Sequence, residues 1–133
     1  GPTGPDLELL EAGLTVDGTT LALGATMASA TELLGAAQVR EMGSAGLVHS
    51  YPSLGVELWT QGSDTIASIH LVPGYPGGAA DQIVPGADDA LVVETLGVGI
   101  ADPFGLGRHY PDRGLFVGVA KEKVESITLT AAK

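Results

Sequence analysis

The sequence predicts an α+β protein of two tandem repeats, each a short helix packed on an antiparallel β-meander. The motif Tyr-Pro-x-x-Gly occurs twice, beginning at Tyr51 and at Tyr110, and an aliphatic residue follows each glycine. A helical pattern that ends at glycine precedes each motif, and a strand ending in Ser-Ile-x-Leu follows it. Because the matches keep the same order and nearly the same intervals, the meanders are expected to form one continuous sheet or two adjoining sheets.

The domain organisation follows from this repetition. Repeat 1 is expected over residues 13–72 and repeat 2 over residues 81–133. Residues 73–80 contain two prolines and three glycines, a composition that does not suit the interior of a regular element. This segment is therefore predicted to be the linker between the repeats.

The first residues mix proline and glycine with acidic side chains, so residues 1–12 are predicted to be a flexible lead-in. Gly1-Pro2 has the form of a protease-cleavage scar. The alternative is a short helix over residues 6–12 that turns its leucines inward.

Local patterns place the elements of repeat 1. Asp17-Gly18 separates two alternating apolar runs and predicts a tight type I′ hairpin with its leucines and valine inward. Residues 26–34 have helical spacing, with Thr26 as the N-cap and Gly35 as the stop. Strands are predicted between turn residues, over residues 38–42, 46–51, 55–59 and 65–71.

Repeat 2 is predicted to begin with a strand over residues 81–84, followed by a helix over residues 88–96. Asp88 suits the N-cap of that helix, and Gly97 closes it. The inward helix positions have apolar side chains, at Val92, Val93 and Leu96.

Composition excludes several functional classes. The chain has six basic and sixteen acidic residues and a net charge of −10, which repels nucleic acid and anionic membrane surfaces. It has no cysteine, which excludes disulfides, thiolate metal sites and thiol nucleophiles. No apolar run is long enough for a membrane span, so no membrane insertion is expected. The chain is expected to be soluble, either cytoplasmic or secreted after removal of a signal.

Alternation along the strand after Gly55 gives the first candidate binding residues. Val56 and Leu58 point towards the core, and Glu57 and Trp59 point to the face away from the helices. Aromatic side chains on an outer sheet face are typical interface anchors. The alternative is that the lead-in or the linker covers this face.

The second repeat supplies two further candidates. Phe116 alternates with Leu115 and Val117 and is expected on the same outer face as Trp59. Residues 102–107 have no close counterpart in repeat 1, and Phe104 in this loop is either an exposed anchor or a plug between the repeats.

Catalytic and metal-binding patterns are missing from the sequence. The three histidines, His49, His70 and His109, do not have metal-ligand spacing. Tyr51 and Tyr110 are interpreted as packing residues whose hydroxyls reach water or a backbone carbonyl. The sequence therefore predicts a non-enzymatic protein with no metal and no cofactor.

The order of a glycine-bounded helix, a tyrosine-containing strand, a glycine-aliphatic strand and a final Ser-Ile-x-Leu strand resembles the repeat unit of β-lactamase-inhibitor-protein-like folds. It is also similar to the small lipoprotein of the outer-membrane barrel-assembly machinery. The resemblance covers residues 20–71 and 82–129, and it implies a protein-binding module whose tandem copies present a concave sheet surface. This chain lacks the cysteines of both families, so their compartments and targets do not carry over.

The expected function is a non-enzymatic protein-binding module, such as an inhibitor, adaptor or scaffold, with a protein partner and an undetermined oligomeric state. One alternative is a small-ligand binder or hydrolase with a cleft between the repeats, formed by Tyr51, Tyr110, His109 and Asp112. The other is a structural appendage of a larger protein.

Overall fold

The computed structural model describes residues 7–10, 13–79 and 83–130 and shows a mixed α+β fold, as the sequence predicts. The described residues form two α-helices, α1 (Met27–Leu34) and α2 (Asp89–Leu96), and three short 3-10 helices, Gly43–Ala45, Pro52–Leu54 and Pro111–Arg113. They also form twelve strands: β1 (Leu7–Leu10), β2 (Gly13–Val16), β3 (Thr19–Ala22), β4 (Gln38–Glu41), β5 (Leu47–Tyr51), β6 (Val56–Thr60), β7 (Ile66–Leu71), β8 (Gly78–Ala79), β9 (Ile100–Ala101), β10 (Gly107–Tyr110), β11 (Leu115–Ala120) and β12 (Lys123–Leu129).

The strands form two sheets. The large sheet has eight strands in the order β4-β5-β6-β7-β12-β11-β10-β9, and every neighbouring pair is antiparallel. The small sheet has four strands in the order β3-β2-β1-β8, with β8 parallel to β1. The middle of the large sheet is the pair β7–β12.

One apolar core joins the helices, the small sheet and one face of the large sheet. Its members include Met27 of α1, Val92 of α2, Leu14 of the small sheet, and Leu58 and Ile127 of the large sheet. The helices and the small sheet therefore cover the same side of the large sheet, which we call the inner face. The opposite side is the outer face.

The lead-in prediction is wrong for Leu7–Leu10, which forms strand β1 between β2 and β8. The helix alternative is wrong for the same residues. Leu7 and Leu9 are buried while Glu8 between them is exposed, which is the period of two of a half-buried strand. The rest of the predicted lead-in lies outside the described residues.

The first hairpin is confirmed. Asp17 and Gly18 have φ angles of 50° and 86°, and a type I′ turn needs positive φ at both positions. The inward side chains of its strands are buried as predicted, at Leu14, Val16 and Leu21, and Leu23 is half-buried.

The predicted linker is part of the folded body over its described residues. Tyr75 is buried, and its hydroxyl donates a hydrogen bond to the carbonyl oxygen of Gly78 at 2.7 Å. Gly78–Ala79 forms β8 and extends the small sheet, so this segment is not a free connection. The strand predicted just after it is wrong for Ile83 and Val84, which are in no regular element; the rest of that strand lies outside the described residues.

Both helices begin and end as predicted within one residue, but their N-caps differ. The Thr26 hydroxyl accepts a hydrogen bond from the Ser29 backbone N–H at 3.3 Å, as expected for an N-cap. Asp88 occupies the equivalent position before α2, yet its carboxylate does not cap the helix. The reason is that this carboxylate accepts a hydrogen bond from Lys123 instead.

The large sheet has the same connections on both sides of its central pair. Outwards from β7 the strands are β6, β5 and β4, and outwards from β12 they are β11, β10 and β9. The backbone N–H of Gly24 donates to the Ile66 carbonyl at 2.8 Å, and that of Gly86 donates to the Val124 carbonyl at the same distance. Each hydrogen bond joins the segment before a helix to one strand of the central pair, β7 in the first case and β12 in the second.

Gly46 precedes β5 at a point where only glycine fits. Its φ is 104°, and a Cβ atom at this position would overlap the carbonyl oxygen of Thr60. We therefore expect Gly46→Ala to lower the free energy of unfolding by at least about 2 kcal/mol in urea denaturation. The matched control is Gly62→Ala, because Gly62 has a φ of 68° but open space around a Cβ atom. Equal losses in the two variants would contradict the role of the Thr60 contact.

Candidate functional site

A single row of side chains crosses all eight strands on the outer face of the large sheet. The strand register places its members directly opposite one another from edge to edge. We call this set the transverse row: Gln38, Ser50, Glu57, His70, Thr128, Phe116, His109 and Ile100. It contains two of the predicted binding residues, Glu57 and Phe116, and three strand steps separate them.

His70 lies at the middle of the transverse row. Trp59 stacks on its ring, with the ring centroids 4.7 Å apart and the planes inclined by 28°. Its Nε2 lies 2.8 Å from the Ser68 hydroxyl, and its Nδ1 lies 3.1 Å from the Thr128 hydroxyl. Burial lowers the pKa of His70 to about 4, so this imidazole is neutral at neutral pH. Both nitrogens of the neutral His70 ring are hydrogen-bonded to hydroxyl groups, and the contact with Thr128 links β7 to β12 at the centre of the large sheet.

Trp59 and Val48 form a small apolar layer on the outer face. They are directly opposite on β6 and β5, and Val48 is fully buried although it does not belong to the apolar core. The indole Nε1–H of Trp59 is buried and has no hydrogen-bond partner within the described part of the chain. An unpaired buried donor costs about 1–3 kcal/mol, so this position is energetically unfavourable in the isolated chain.

Glu57 is half-buried beside this layer. Its carboxylate lies 3.3 Å from the Arg40 guanidinium, and the Arg40 side chain is 58% exposed. An ion pair of this kind contributes little stability, but it neutralises the one acidic side chain of the transverse row.

A second aromatic contact lies towards the other end of the row. The rings of His109 and Phe116 have centroids 4.6 Å apart, and the His109 Nε2 lies 2.7 Å from a carboxylate oxygen of Asp102. The hydrogen bond from His109 lowers the pKa of Asp102, and backbone N–H groups of the following loop act in the same direction. Asp102 is therefore ionised at neutral pH and connects the row to that loop.

The loop over residues 102–107 is held by several hydrogen bonds. The Asp102 carboxylate accepts from the backbone N–H groups of Phe104 at 3.0 Å and Leu106 at 3.3 Å. The Leu106 carbonyl accepts from the backbone N–H of Val119 at 2.9 Å. Phe104 stands at the tip with 85% of its surface exposed, so the alternative in which it plugs a gap between the halves is wrong.

The loop over residues 102–107 has a counterpart between β4 and β5, although the sequence predicts none. The Met42 backbone N–H donates to the Gly46 carbonyl at 2.8 Å, and that of Asp102 donates to the Gly107 carbonyl at 2.9 Å. The two loops differ in length and in side chains, so their sequences show no close match.

Tyr51 and Tyr110 are packing residues, as predicted. Their hydroxyls donate to the carbonyl oxygens that follow the two helices, Tyr51 to Gly35 at 3.0 Å and Tyr110 to Gly97 at 2.8 Å. Burial raises the pKa of both hydroxyls. Each tyrosine therefore fixes the end of one helix to the large sheet.

We expect Tyr110→Phe to lower the free energy of unfolding by about 1–2 kcal/mol, because the Gly97 carbonyl loses its donor in a partly buried place. Tyr51→Phe is expected to cost a similar amount for the same reason. Denaturant unfolding of the two variants measures both effects, and a neutral result in both would contradict the assigned role.

The four residues predicted to form a small-ligand cleft do not lie together in the structure. Tyr51 lies on β5 and Tyr110 on β10, with four strands between them. His109, Tyr110 and Asp112 do line a common cleft of about 260 Å³, at the β9–β10 end of the sheet. Arg113 also lines this cleft, which lies within one half of the sheet.

Sequence reasoning missed several residues of the outer face. The sequence does not predict His70 as a site residue, because it lacks metal-ligand spacing, and it does not predict Ser68 or Thr128. The usable signal is that Ser68 and His70 are two apart in a strand and therefore share a face. No group of histidine, aspartate or glutamate side chains within residues 7–10, 13–79 and 83–130 is suited to hold a metal ion.

Comparison of the chain with known protein families, with curated proteins and with solved structures found no match. None of the helices that the structure describes is long and apolar enough to cross a membrane.

Proposed function

We propose that this chain is a non-enzymatic protein-binding module, an inhibitor, adaptor or scaffold-like protein that binds its partner through the outer face of the large sheet. The observation that carries the proposal is the chemistry of this face. Trp59 and Phe116 are only partly covered there, and each contacts a histidine ring. Partly covered aromatic side chains are typical binding anchors.

The distribution of charge supports the same proposal. The chain has a net charge of −10, but Glu57 is the one acidic residue in the transverse row, and Arg40 neutralises it. The centres of protein interfaces are poor in charged residues in the same way. Acidic side chains elsewhere on the surface would favour a partner with a basic rim.

Tandem duplication is part of this proposal. It is supported by the equal connections on the two sides of β7–β12 and by the equivalent tyrosine–carbonyl hydrogen bonds of Tyr51 and Tyr110. The family resemblance implies that tandem copies of this kind present a shared sheet surface to a partner. Under this proposal, residues 73–80 separate two repeats, each of which contributes four strands to the large sheet.

A hydrolase is the second candidate, and one contact favours it. The Ser68 hydroxyl lies 2.8 Å from the His70 Nε2, a distance suited to a nucleophile and its general base. Two features weigh against it. The pKa of His70 is about 4, which makes it a weak base, and its other nitrogen contacts the Thr128 hydroxyl where a triad places a carboxylate.

The proposal is tested by capture of binding partners with tagged variants. We expect Trp59→Ala and Phe116→Ala each to reduce capture at least about tenfold, which corresponds to the loss of one anchor side chain. Met42→Ala is the matched control, because Met42 is an exposed apolar residue away from the transverse row. Unchanged capture by both variants, with native circular dichroism, would show that the outer face is not the binding surface.

A further inference from the structure

The exposed apolar side chains of the described residues lie at the two open edges of the large sheet. All seven large ones lie in the edge strands β4 and β9, directly opposite one of them, or in the loops beside them. Those at the β4 edge are Val39, Met42 and Leu47, and those at the β9 edge are Val98, Ile100, Phe104 and Leu106. Exposed apolar groups beside an open strand are a common feature of interaction sites.

The β4 edge is the longer of the two. All four residues of β4 are exposed, and the strand pairs with β5 on one side only among the described residues. Its outward backbone N–H and C=O groups therefore offer a template for another strand. The strand contains no proline, so none of its residues lacks a backbone N–H.

We infer that a second copy of this chain binds at this edge, with β4 of one copy antiparallel to β4 of the other about a twofold axis at Val39. An antiparallel edge is complementary to itself under twofold symmetry, which makes this a closed contact of two copies. Val39, whose side chain is 56% exposed, then packs against the same residue of the second copy.

The charges of β4 select this register. With the axis at Val39, Arg40 lies opposite Gln38 of the second copy and Glu41 lies opposite Ala37, so no like charges are directly opposite. An axis at Arg40 would place two guanidinium groups opposite each other. Arg40 is also held by Glu57 of its own chain at 3.3 Å, which reduces repulsion between the two copies.

The paired edges would join the two large sheets into one continuous sheet. A twofold axis perpendicular to the sheet keeps the two outer faces on the same side. The dimer would therefore present two copies of the transverse row to a partner.

Sedimentation velocity tests this inference on the intact chain from about 5 to about 500 μM, a range that brackets weak association. We expect a monomer–dimer equilibrium that strengthens as salt is added, because each copy carries a net charge of −10. Val39→Lys is expected to weaken the dimer at least about tenfold, since it places two ammonium groups opposite each other. Val98→Lys, at the other edge and outside the transverse row, is the matched control and should leave the dimer unchanged.

Two results would overturn the inference. One is a monomer throughout the concentration range at high salt. The other is a dimer that Val98→Lys disrupts and Val39→Lys does not. Amide hydrogen exchange on the unaltered chain gives an independent measurement, because exchange within Gln38–Glu41 should slow as protein concentration rises.

Discussion

We expect this protein to lose stability between about pH 6.5 and about pH 4, and we expect replacement of His70 with glutamine to remove most of that loss. Burial lowers the pKa of His70 to about 4 in the folded chain, whereas the ordinary value is 6.5. The unfolded chain therefore binds a proton that the folded chain does not, and stability falls as the pH falls through this window. The shift corresponds to at most about 3 kcal/mol.

The measurement is urea denaturation at intervals from about pH 7.5 to about pH 4.5. Glutamine can still form hydrogen bonds with the Ser68 and Thr128 hydroxyls, so His70→Gln should fold. His109→Gln is the matched control, because the His109 side chain is 41% exposed. Equal pH dependence of the unaltered chain and His70→Gln would contradict the buried neutral state of this ring.

Replacing Leu7 with alanine is expected to lower the free energy of unfolding by about 3 kcal/mol, as for other large-to-small changes in a core. Leu7 is 3% exposed in β1, the strand that joins β2 to β8. Glu8→Ala is the control on the same strand, because the Glu8 side chain is exposed. A flexible lead-in would instead give no change in either variant, and chemical denaturation separates the two outcomes.

Much of the fold could be predicted because its signals are local. The Asp17-Gly18 turn depends on positive φ at two adjacent residues, and both helices are bounded by a capping position and a glycine. β1 could not be predicted in the same way. It has four residues, and one of the two strands it pairs with is β8, which is far away along the chain. The β-propensity of four residues does not predict that they pair with a strand so distant in the sequence.

The candidate site could be predicted in part for a similar reason. Alternation within one strand places Glu57 and Trp59 on one face without knowledge of their neighbours. The position of His70 under Trp59 depends on the register between β6 and β7, and that register shifts between Trp59 and Thr60. One hydrogen-bond partner of His70, Thr128, comes from β12, which is joined to β7 only in the folded sheet.

The most direct test of the proposed function is site-specific photo-cross-linking in the cells that express the protein. A benzophenone amino acid is placed at Thr128, in the middle of the outer face, or at Glu32, which is exposed on helix α1. We expect a protein adduct from position 128, none from position 32, and a weaker adduct when Trp59→Ala is added. An adduct from position 32 alone, or one from position 128 that does not respond to Trp59→Ala, would contradict binding through the outer face.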